Sequence, residues 1–313
     1  MPWFTLPKFL VISWWLMLIV GDPFVGENPL PGDINYLAPY SLETVQLSPT
    51  TYTGNLNGVD IGEVGLLPAR WHIAQWGAPV DLAATIDNEG NAFDGDWQTF
   101  GDGNNTVRAH DGILEFVEDT NDPTPGCGEF DLFAEVNDPI TYPSAEPGFN
   151  TPYSIRSSLA DESALWLQAS QGITEAVQRS RCQPGYDLAT TTISLVLLNT
   201  SSHQAMFYQV MTYDSRGYYF NGSWFFTGAD GHVWGVADTV DVLGSPSLVP
   251  GGTTQLYQLE VGQRINTLIA TRPELDQDLS HWKVAGIYAG SATNGNARIV
   301  STIGNIALKG VSK

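Results

Sequence analysis

In the stretch CGEFDLFAEV, from Cys127 to Val136, three acidic residues and Phe133 alternate with the apolar residues Phe130, Leu132, Ala134 and Val136. A period of two residues is the pattern of a β-strand with one buried and one solvated face. Glu129, Asp131 and Glu135 then share the polar face. Two carboxyl groups on one face can act as general acid and base on a glycosidic bond, provided that they lie a few Å apart.

Strand geometry limits which of these acids can form a pair. Glu129 and Glu135 would lie about 20 Å apart along a regular strand, at about 3.4 Å per residue. Retaining glycosidases separate their carboxyl groups by about 5–5.5 Å and inverting ones by about 6.5–9.5 Å. Glu129 and Asp131, about 7 Å apart at the backbone, fit the inverting range. An acidic face that only contacts solvent is the alternative interpretation.

Two further segments place a tryptophan and a glutamine on the same strand face. These pairs are Trp71 with Gln75 in RWHIAQW and Trp166 with Gln168 in LWLQ. An indole ring can cover the apolar C–H face of a sugar while an amide bonds to its hydroxyls. Trp224, beside the turn TGADGH, joins them as a predicted ligand-binding residue. The alternative is that each tryptophan belongs to the core, because tryptophan buries a large area.

A loop rich in oxygen ligands, DNEGNAFDGDW, suggests a structural calcium ion. No cofactor beyond this ion is predicted, and an ordinary polar turn is the alternative. Its carboxylates are Asp87, Glu89, Asp94 and Asp96.

Cys127 and Cys182 are the two cysteines of the chain. In an oxidising compartment such a pair predicts one disulfide closing a long loop. Two free buried thiols are the alternative.

The charge balance restricts the partners of the chain. It has 313 residues with 34 acids and 13 bases, for a net charge of −21. Nucleic-acid binders need a cationic surface, so nucleic acid and anionic membranes are excluded as partners. Neutral polysaccharides, cations and basic partners remain compatible with this charge.

The N-terminus resembles an export signal. Lys8 precedes an apolar run from Phe9 to Val20, and Gly21-Asp22-Pro23 ends it. Twelve residues are too few for a bilayer span of about 20 but fit a secretory signal. Residues 1–26 are therefore predicted as a signal peptide or an uncleaved anchor, the only segment expected to contact a membrane. The protein is predicted to be secreted or anchored at the cell surface.

The rest of the chain is organised as an extended lead-in, residues 27–68, followed by one domain, residues 69–313. Short alternating segments recur in the domain between turns rich in Gly, Asp and Asn, which favours an antiparallel β-sandwich. The best helix candidate is Thr174–Arg181. The predicted strands are Trp71–Trp76, Trp97–Phe100, Ile113–Glu118, Glu129–Val136, Ala164–Ala169, Thr191–Leu198, Met206–Tyr213, Tyr218–Phe226, Val233–Val236, Leu256–Val261, Trp282–Tyr288 and Ile299–Leu308.

Three segments resemble concanavalin A-like lectin and glucanase domains. VRAHDGILEFVED (107–119) is similar to a strand pair near their start, and the segment 280–308 is similar to their last two strands. FYQVMTYDSRGYYF (207–220) lies between them. The resemblance implies a β-sandwich of the jelly-roll type, with Trp282 in the core and the final strand beside the first.

The acidic strand resembles the GEIDxxE strand of laminarinase-like glycosidases of that superfamily. In those enzymes the outer two glutamates act as nucleophile and general acid. Here three residues, not one or two, separate Asp131 from Glu135. The departure leaves Glu129 and Asp131 as the predicted acid and base.

Two main function classes follow, both acting on a polysaccharide or other glycan. The first is an exported glycan-binding module that uses the Trp/Gln faces. The second is a glycoside hydrolase that uses Glu129 and Asp131, or a polysaccharide lyase for which His203 and Tyr208 are candidates. An extracellular structural or adhesive protein is a weaker third class.

Overall fold

A computed structural model describes most of the predicted sandwich. The described residues are 29–35, 47–54, 71–76, 93–94, 97–101, 104–110, 112–120, 129–137, 158–179, 188–202, 204–216, 224–227, 233–237 and 248–313.

Strands of the described residues form two eight-stranded sheets. Sheet A contains β1 (Ile34–Asn35), β4 (Phe93–Asp94), β5 (Trp97–Gly101), β6 (Thr106–His110), β7 (Ile113–Asp119), β9 (Glu162–Gln178), β14 (Gln255–Glu260) and β16 (Ala297–Ser312). Sheet B contains β2 (Leu47–Gly54), β3 (Trp71–Trp76), β8 (Glu129–Asn137), β10 (Leu188–Asn199), β11 (Ala205–Asp214), β12 (Trp224–Thr227), β13 (Val233–Ala237) and β15 (Trp282–Asn294).

The strand order is that of a jelly-roll sandwich. Sheet A runs β14-β9-β16-β7-β6-β5-β4, with β1 paired to β16, and sheet B runs β12-β13-β11-β10-β15-β8-β3-β2. Pairing among the described strands is antiparallel except for β2 with β3 and β11 with β13. The predicted fold class, an all-β antiparallel sandwich of the jelly-roll type, is confirmed.

The segments that carried the resemblance occupy the expected places. Strands β6 and β7 form a hairpin whose turn includes Gly112 at a φ of 76°, a conformation that glycine adopts without strain. The final strand β16 pairs with β7, as predicted. Strands β15 and β16 lie in different sheets, so the chain crosses the sandwich in the short turn at 295–296.

The core lies between the two sheets and is built by alternation. Leu114 and Phe116 of β7 and Leu132 of β8 are each fully buried, and so is Trp282 at the start of β15. Their neighbours in sequence on β7 are more exposed. The predicted core position of Trp282 is confirmed.

Two local assignments differ from the sequence prediction. Thr174–Gln178, predicted as the start of a helix, is the end of the long strand β9, where Val177 pairs with Arg298 of β16. This pairing overrides the helical preference of TEAVQRSR, because propensity is weaker than tertiary pairing. A helix that the prediction missed, α1 (Gly262–Ala270), packs Ile265 and Ile269 into the core.

Part of the predicted lead-in belongs to the sandwich. Strand β1 pairs with β16 at the end of the chain, and β2 pairs with β3 at the edge of sheet B. The predicted export segment lies outside the described residues. Within the described part of the chain, no helix is long and apolar enough to cross a membrane.

Candidate functional site

Strand register aligns five polar residues across five neighbouring strands of sheet B. Strand register places His72 opposite Glu135, Glu135 opposite Tyr288, Tyr288 opposite Ser194, and Ser194 opposite Gln209. Neighbouring strands lie about 4.8 Å apart, so this row is about 19 Å wide. We call it the polar row.

A hydrogen bond joins two members of the polar row that lie on either side of a third member. The amide Nε2 of Gln209 donates to the hydroxyl of Tyr288 at 2.9 Å. Ser194, which is fully buried, occupies the strand between them.

Aromatic neighbours hold the Tyr288 ring in place. Phe133 meets it at 5.0 Å between ring centroids and 72° between planes, and Phe207 at 6.2 Å and 63°. Both are edge-to-face arrangements, which aromatic pairs prefer. The three rings are only 6–7% exposed. The phenol is therefore positioned before any ligand binds.

The acidic strand contributes to the same face. Phe130, Leu132 and Ala134 are buried in the core, so the predicted alternation of β8 is confirmed. Asp131, on the opposite face, is half-buried and lies in register with Trp76 and Ala292.

The acids of β8 are spread along the strand. Asp131 and Glu135 are four residues apart, about 13 Å along the strand. Glu129 begins the strand opposite Asn294. The side chains of Glu129 and Glu135 lie outside the described residues, so the predicted acid–base pair stays a prediction.

Tyr288 was missed in the sequence because of a β-bulge. Simple alternation from Trp282 and Val284 places Tyr288 on the core face. The register of β15 against β10 shifts between Val284 and Gly286, so Ile287 faces the core instead. An extra residue in a strand exchanges the two faces beyond it.

Gly290 gives a test of how closely the Phe133 ring is packed. A β-carbon there would lie 2.2 Å from the carbonyl oxygen of Leu132 and 2.5 Å from Cδ1 of Phe133. We expect Gly290→Ala to lower the free energy of unfolding by about 1–3 kcal/mol, the usual range for overpacking. Urea denaturation measures this. Ala292→Ser, two residues along the same face, is the control with an expected change below about 1 kcal/mol.

The two predicted Trp/Gln pairs lie in different sheets, one pair in sheet B and the other in sheet A. Gln75 is 3% exposed and lies in register with the core residue Leu132, on the inner side of sheet B. Trp71 lies on the same strand and Trp224 in β12 at the far edge of that sheet, with side chains outside the described residues. Trp166 lies on the outer side of sheet A.

Trp166 and Gln168 do share one surface, as predicted. The Gln168 amide accepts a hydrogen bond from Gln258 Nε2 at 2.8 Å and donates to the carbonyl of Asn305 at 3.3 Å. Trp166 is in register with Glu260 on one side and Lys309 on the other.

One lyase candidate is wrong. Tyr208 is fully buried in the core between the sheets and cannot face a groove. The parity of β11 places Phe207 and Gln209 on the outer face instead. His203 lies outside the described residues.

The predicted calcium and disulfide sites are not described. Asp94 belongs to β4, but its side chain and the residues Asp87, Glu89 and Asp96 lie outside the described part, as do Cys127 and Cys182. In the described ranges, no cluster of three or more His, Cys, Asp or Glu residues could hold a metal ion.

No protein-family model matches the chain, and no curated protein is similar to it in sequence. Solved structures of similar fold exist. A thermostable Cel12A cellulase derived from Rhodothermus marinus is 9% identical with a TM-score of 0.41, over 72% of this chain and 94% of that one. A family 12 xyloglucanase from Bacillus licheniformis is 11% identical with a TM-score of 0.35, over 69% and 97%. A family 11 xylanase from Neocallimastix patriciarum is 9% identical with a TM-score of 0.36, over 68% and 99%. These similarities transfer no active-site residue to this chain.

Proposed function

We propose that this chain is an exported, carbohydrate-recognising β-sandwich whose glycan lies across the outer face of sheet B. The observation that carries the proposal is the pairing of Gln209 with a Tyr288 ring that two phenylalanines hold in place. Glycan sites combine an aromatic wall with a few positioned polar groups.

The width of the polar row and the charge of the chain indicate the ligand. The five strands span about 19 Å, which is the length of several sugar units and favours a polysaccharide over a single sugar. A net charge of −21 favours a neutral one. The similar structures are named as a cellulase, a xyloglucanase and a xylanase, whose substrates are polysaccharides.

A second candidate function is cleavage of that polysaccharide. It is favoured by register, which puts Glu135 and His72 in the same row as Tyr288 and leaves Asp131 on the same face. Carboxyl, imidazole and phenol groups are the usual general acids and bases. Glu129 and Asp131 remain the predicted acid and base of a hydrolase.

Retention on polysaccharides tests the binding proposal. Affinity electrophoresis through cellulose derivatives, xylan and xyloglucan should retard the wild-type protein. Tyr288→Phe and Gln209→Ala should each weaken retention by about tenfold, because each removes a polar contact. Tyr213→Phe is the matched control, since Tyr213 belongs to a separate buried cluster. Unchanged retention in both test variants would refute the proposed face.

Release of new chain ends separates cleavage from binding. Reducing ends and ultraviolet-absorbing unsaturated ends are measured in parallel on the same substrates. A hydrolase yields only reducing ends and should lose them in Glu129→Gln or Asp131→Asn. A lyase yields unsaturated ends. Retention without either product leaves binding alone, and neither retention nor products would favour the structural or adhesive class.

Export is the part of the proposal that rests on the N-terminal sequence alone. Expression of the full chain in a secreting host, followed by N-terminal sequencing, tests it. Mature protein in the medium lacking residues 1–26 supports a signal peptide. Membrane-bound protein that keeps them supports an anchor, and cytoplasmic protein contradicts export.

A further inference from the structure

A pocket of about 500 Å³ lies between α1 and the first residues of β9, on a surface separate from the polar row. Its volume is typical of small-molecule sites, which span about 300–1,000 Å³. One helix face and one strand end form most of its wall. It is lined by Leu159, Glu162, Ser163, Ala164, Leu165, Glu260, Gly262, Gln263, Asn266, Thr267 and Ala270.

The lining combines hydrogen-bonding groups with small apolar ones. Gln263 and Asn266 supply amides, and Ser163 and Thr267 supply hydroxyls; among the described residues no Lys, Arg or His lines the pocket. The Oδ1 atom of Asn266 is buried and accepts no hydrogen bond from the described residues. Such a lining suits a ligand with several hydroxyl groups and an apolar carbon skeleton, and it disfavours an anion.

Glu260 has its carboxylate occupied by backbone donors. Its Oε1 accepts from the backbone N–H groups of Leu165 and Gln263, each at 3.1 Å, and its Oε2 accepts from Gln263 at 3.0 Å. These bonds satisfy a donor at the start of α1 and fix one wall of the pocket.

Glu162 is the buried acid of the pocket. It is 5% exposed, and burial together with the nearby charge of Asp33 raises its pKa to about 8. At neutral pH it is therefore protonated and carries no charge. Other ionisable groups on this side are Glu260, Asp161, and Lys313, whose ammonium donates to the carbonyl of Ala160.

We propose that this pocket binds a single neutral sugar unit, as a second carbohydrate site independent of the polar row. Trp166 extends the site along the outer face of sheet A, since it is the cross-strand partner of the pocket residue Glu260. Glu162 brings a neutral carboxyl to the wall, so a bound neutral ligand would bury no charge there at neutral pH. The choice of a sugar as ligand rests on the proposed function, whereas the choice of a small neutral ligand rests on the pocket alone.

Filling the pocket tests the site directly. Isothermal titration calorimetry with glucose, xylose, galactose and N-acetylglucosamine should give one-to-one binding for at least one of them. Ala270→Phe places a ring in the pocket from an exposed helix position, and Thr267→Phe does so from the preceding turn. Each should weaken that binding at least tenfold. Val249→Phe, at a position that is 66% exposed outside the pocket, is the matched control and should bind like the wild type.

The pH dependence tests the role of Glu162. Wild-type binding should weaken several-fold as the pH rises from 7 to 9, because a bound ligand would bury the charge of the ionised Glu162 carboxylate. Glu162→Gln resembles the neutral acid and should keep binding at both pH values. Equal pH dependence in the two proteins would overturn the assignment of Glu162.

The outcomes also separate this site from the polar row. Loss of monosaccharide binding in both pocket-filling variants, with normal binding in Tyr288→Phe, supports the second site even if the polysaccharide proposal fails. Absence of saturable binding for every sugar tested, or full binding in the folded pocket-filling variants, overturns it. Unshifted melting temperatures establish that those variants are folded.

Discussion

Trp282→Ala is expected to lower the free energy of unfolding by about 3–5 kcal/mol, the usual cost of deleting a large aromatic from a core. Trp282 is 0% exposed, and its indole Nε1 donates to the carbonyl of Asp276 at 2.8 Å. Its own carbonyl accepts from the backbone of Leu159 at 2.9 Å. The residue therefore joins the start of β15 to two neighbouring loops, and alanine would leave a cavity where they meet.

Urea denaturation followed by circular dichroism measures the loss at Trp282. For a domain of this size the melting temperature should fall by about 6–20 °C. Trp166→Ala is the matched control, because it makes the same substitution on the outer face of sheet A, where the residue is half-buried. An equal loss of stability in the two variants would contradict the core position assigned to Trp282.

Glu118→Gln is expected to remove a large part of the pH dependence of stability. Glu118 is 0% exposed on the inner face of β7, in register with the buried Ile299. Burial raises the pKa of Glu118 well above its usual value, and the negative charge of Asp131 adds to this, while the hydroxyl of Thr293 acts in the opposite direction. The folded protein therefore holds this carboxyl in its neutral form.

The sign of the effect follows from proton linkage. Between the pKa of the unfolded chain, 4.5, and the higher folded value, the folded state binds more protons than the unfolded state. The contribution of Glu118 to stability is then greatest at acidic pH and falls as the pH rises through this window, by about 1.4 kcal/mol per pH unit. Glutamine carries no such proton, so Glu118→Gln should be more stable than the wild type at pH 8.

Denaturation curves between pH 4 and pH 9 measure this difference. Glu115→Gln is the matched control, because Glu115 lies on the outer face of the same strand β7. Its carboxylate accepts a hydrogen bond from Arg108 Nε at 2.6 Å. Its loss should lower stability at neutral pH by about 1 kcal/mol or less. Glu162 also makes stability fall with rising pH. The contribution of Glu118 is therefore read from the difference between the wild-type and Glu118→Gln curves. Parallel curves for wild type and Glu118→Gln would refute the prediction.

Local pattern predicted much of the sheet structure correctly. The predicted strand Trp71–Trp76 matches β3 to the residue, and Glu129–Val136 matches β8 to within one residue. Other strands were found but drawn too short: β9 begins before the predicted Ala164 and extends to Gln178. Alternation identifies a strand where one face is buried, but the end of a strand depends on where its partner ends.

The candidate site was predicted less completely. The outward face of Asp131 was predicted because its neighbours Phe130 and Leu132 are apolar, whereas the contact of Tyr288 with Gln209 was missed. Tyr288 follows a bulge that exchanges the faces of β15. The contact of Gln209 with Tyr288 depends on the sheet order, in which only β10 separates β11 from β15. The pocket beside α1 could not be predicted, since it joins residues about 100 positions apart in sequence.

Composition and local alternation were enough to predict the fold class, the net negative charge, the core position of Trp282 and the outward face of the acidic strand. Each of these follows from composition or from a period of two residues within one segment. The three-dimensional arrangement of the strands was needed to show that Thr174–Gln178 is a strand, that Gln75 is buried, and that Tyr288 meets Gln209. These depend on pairing and register between distant strands, and a shift of one residue in register exchanges every side chain between core and surface.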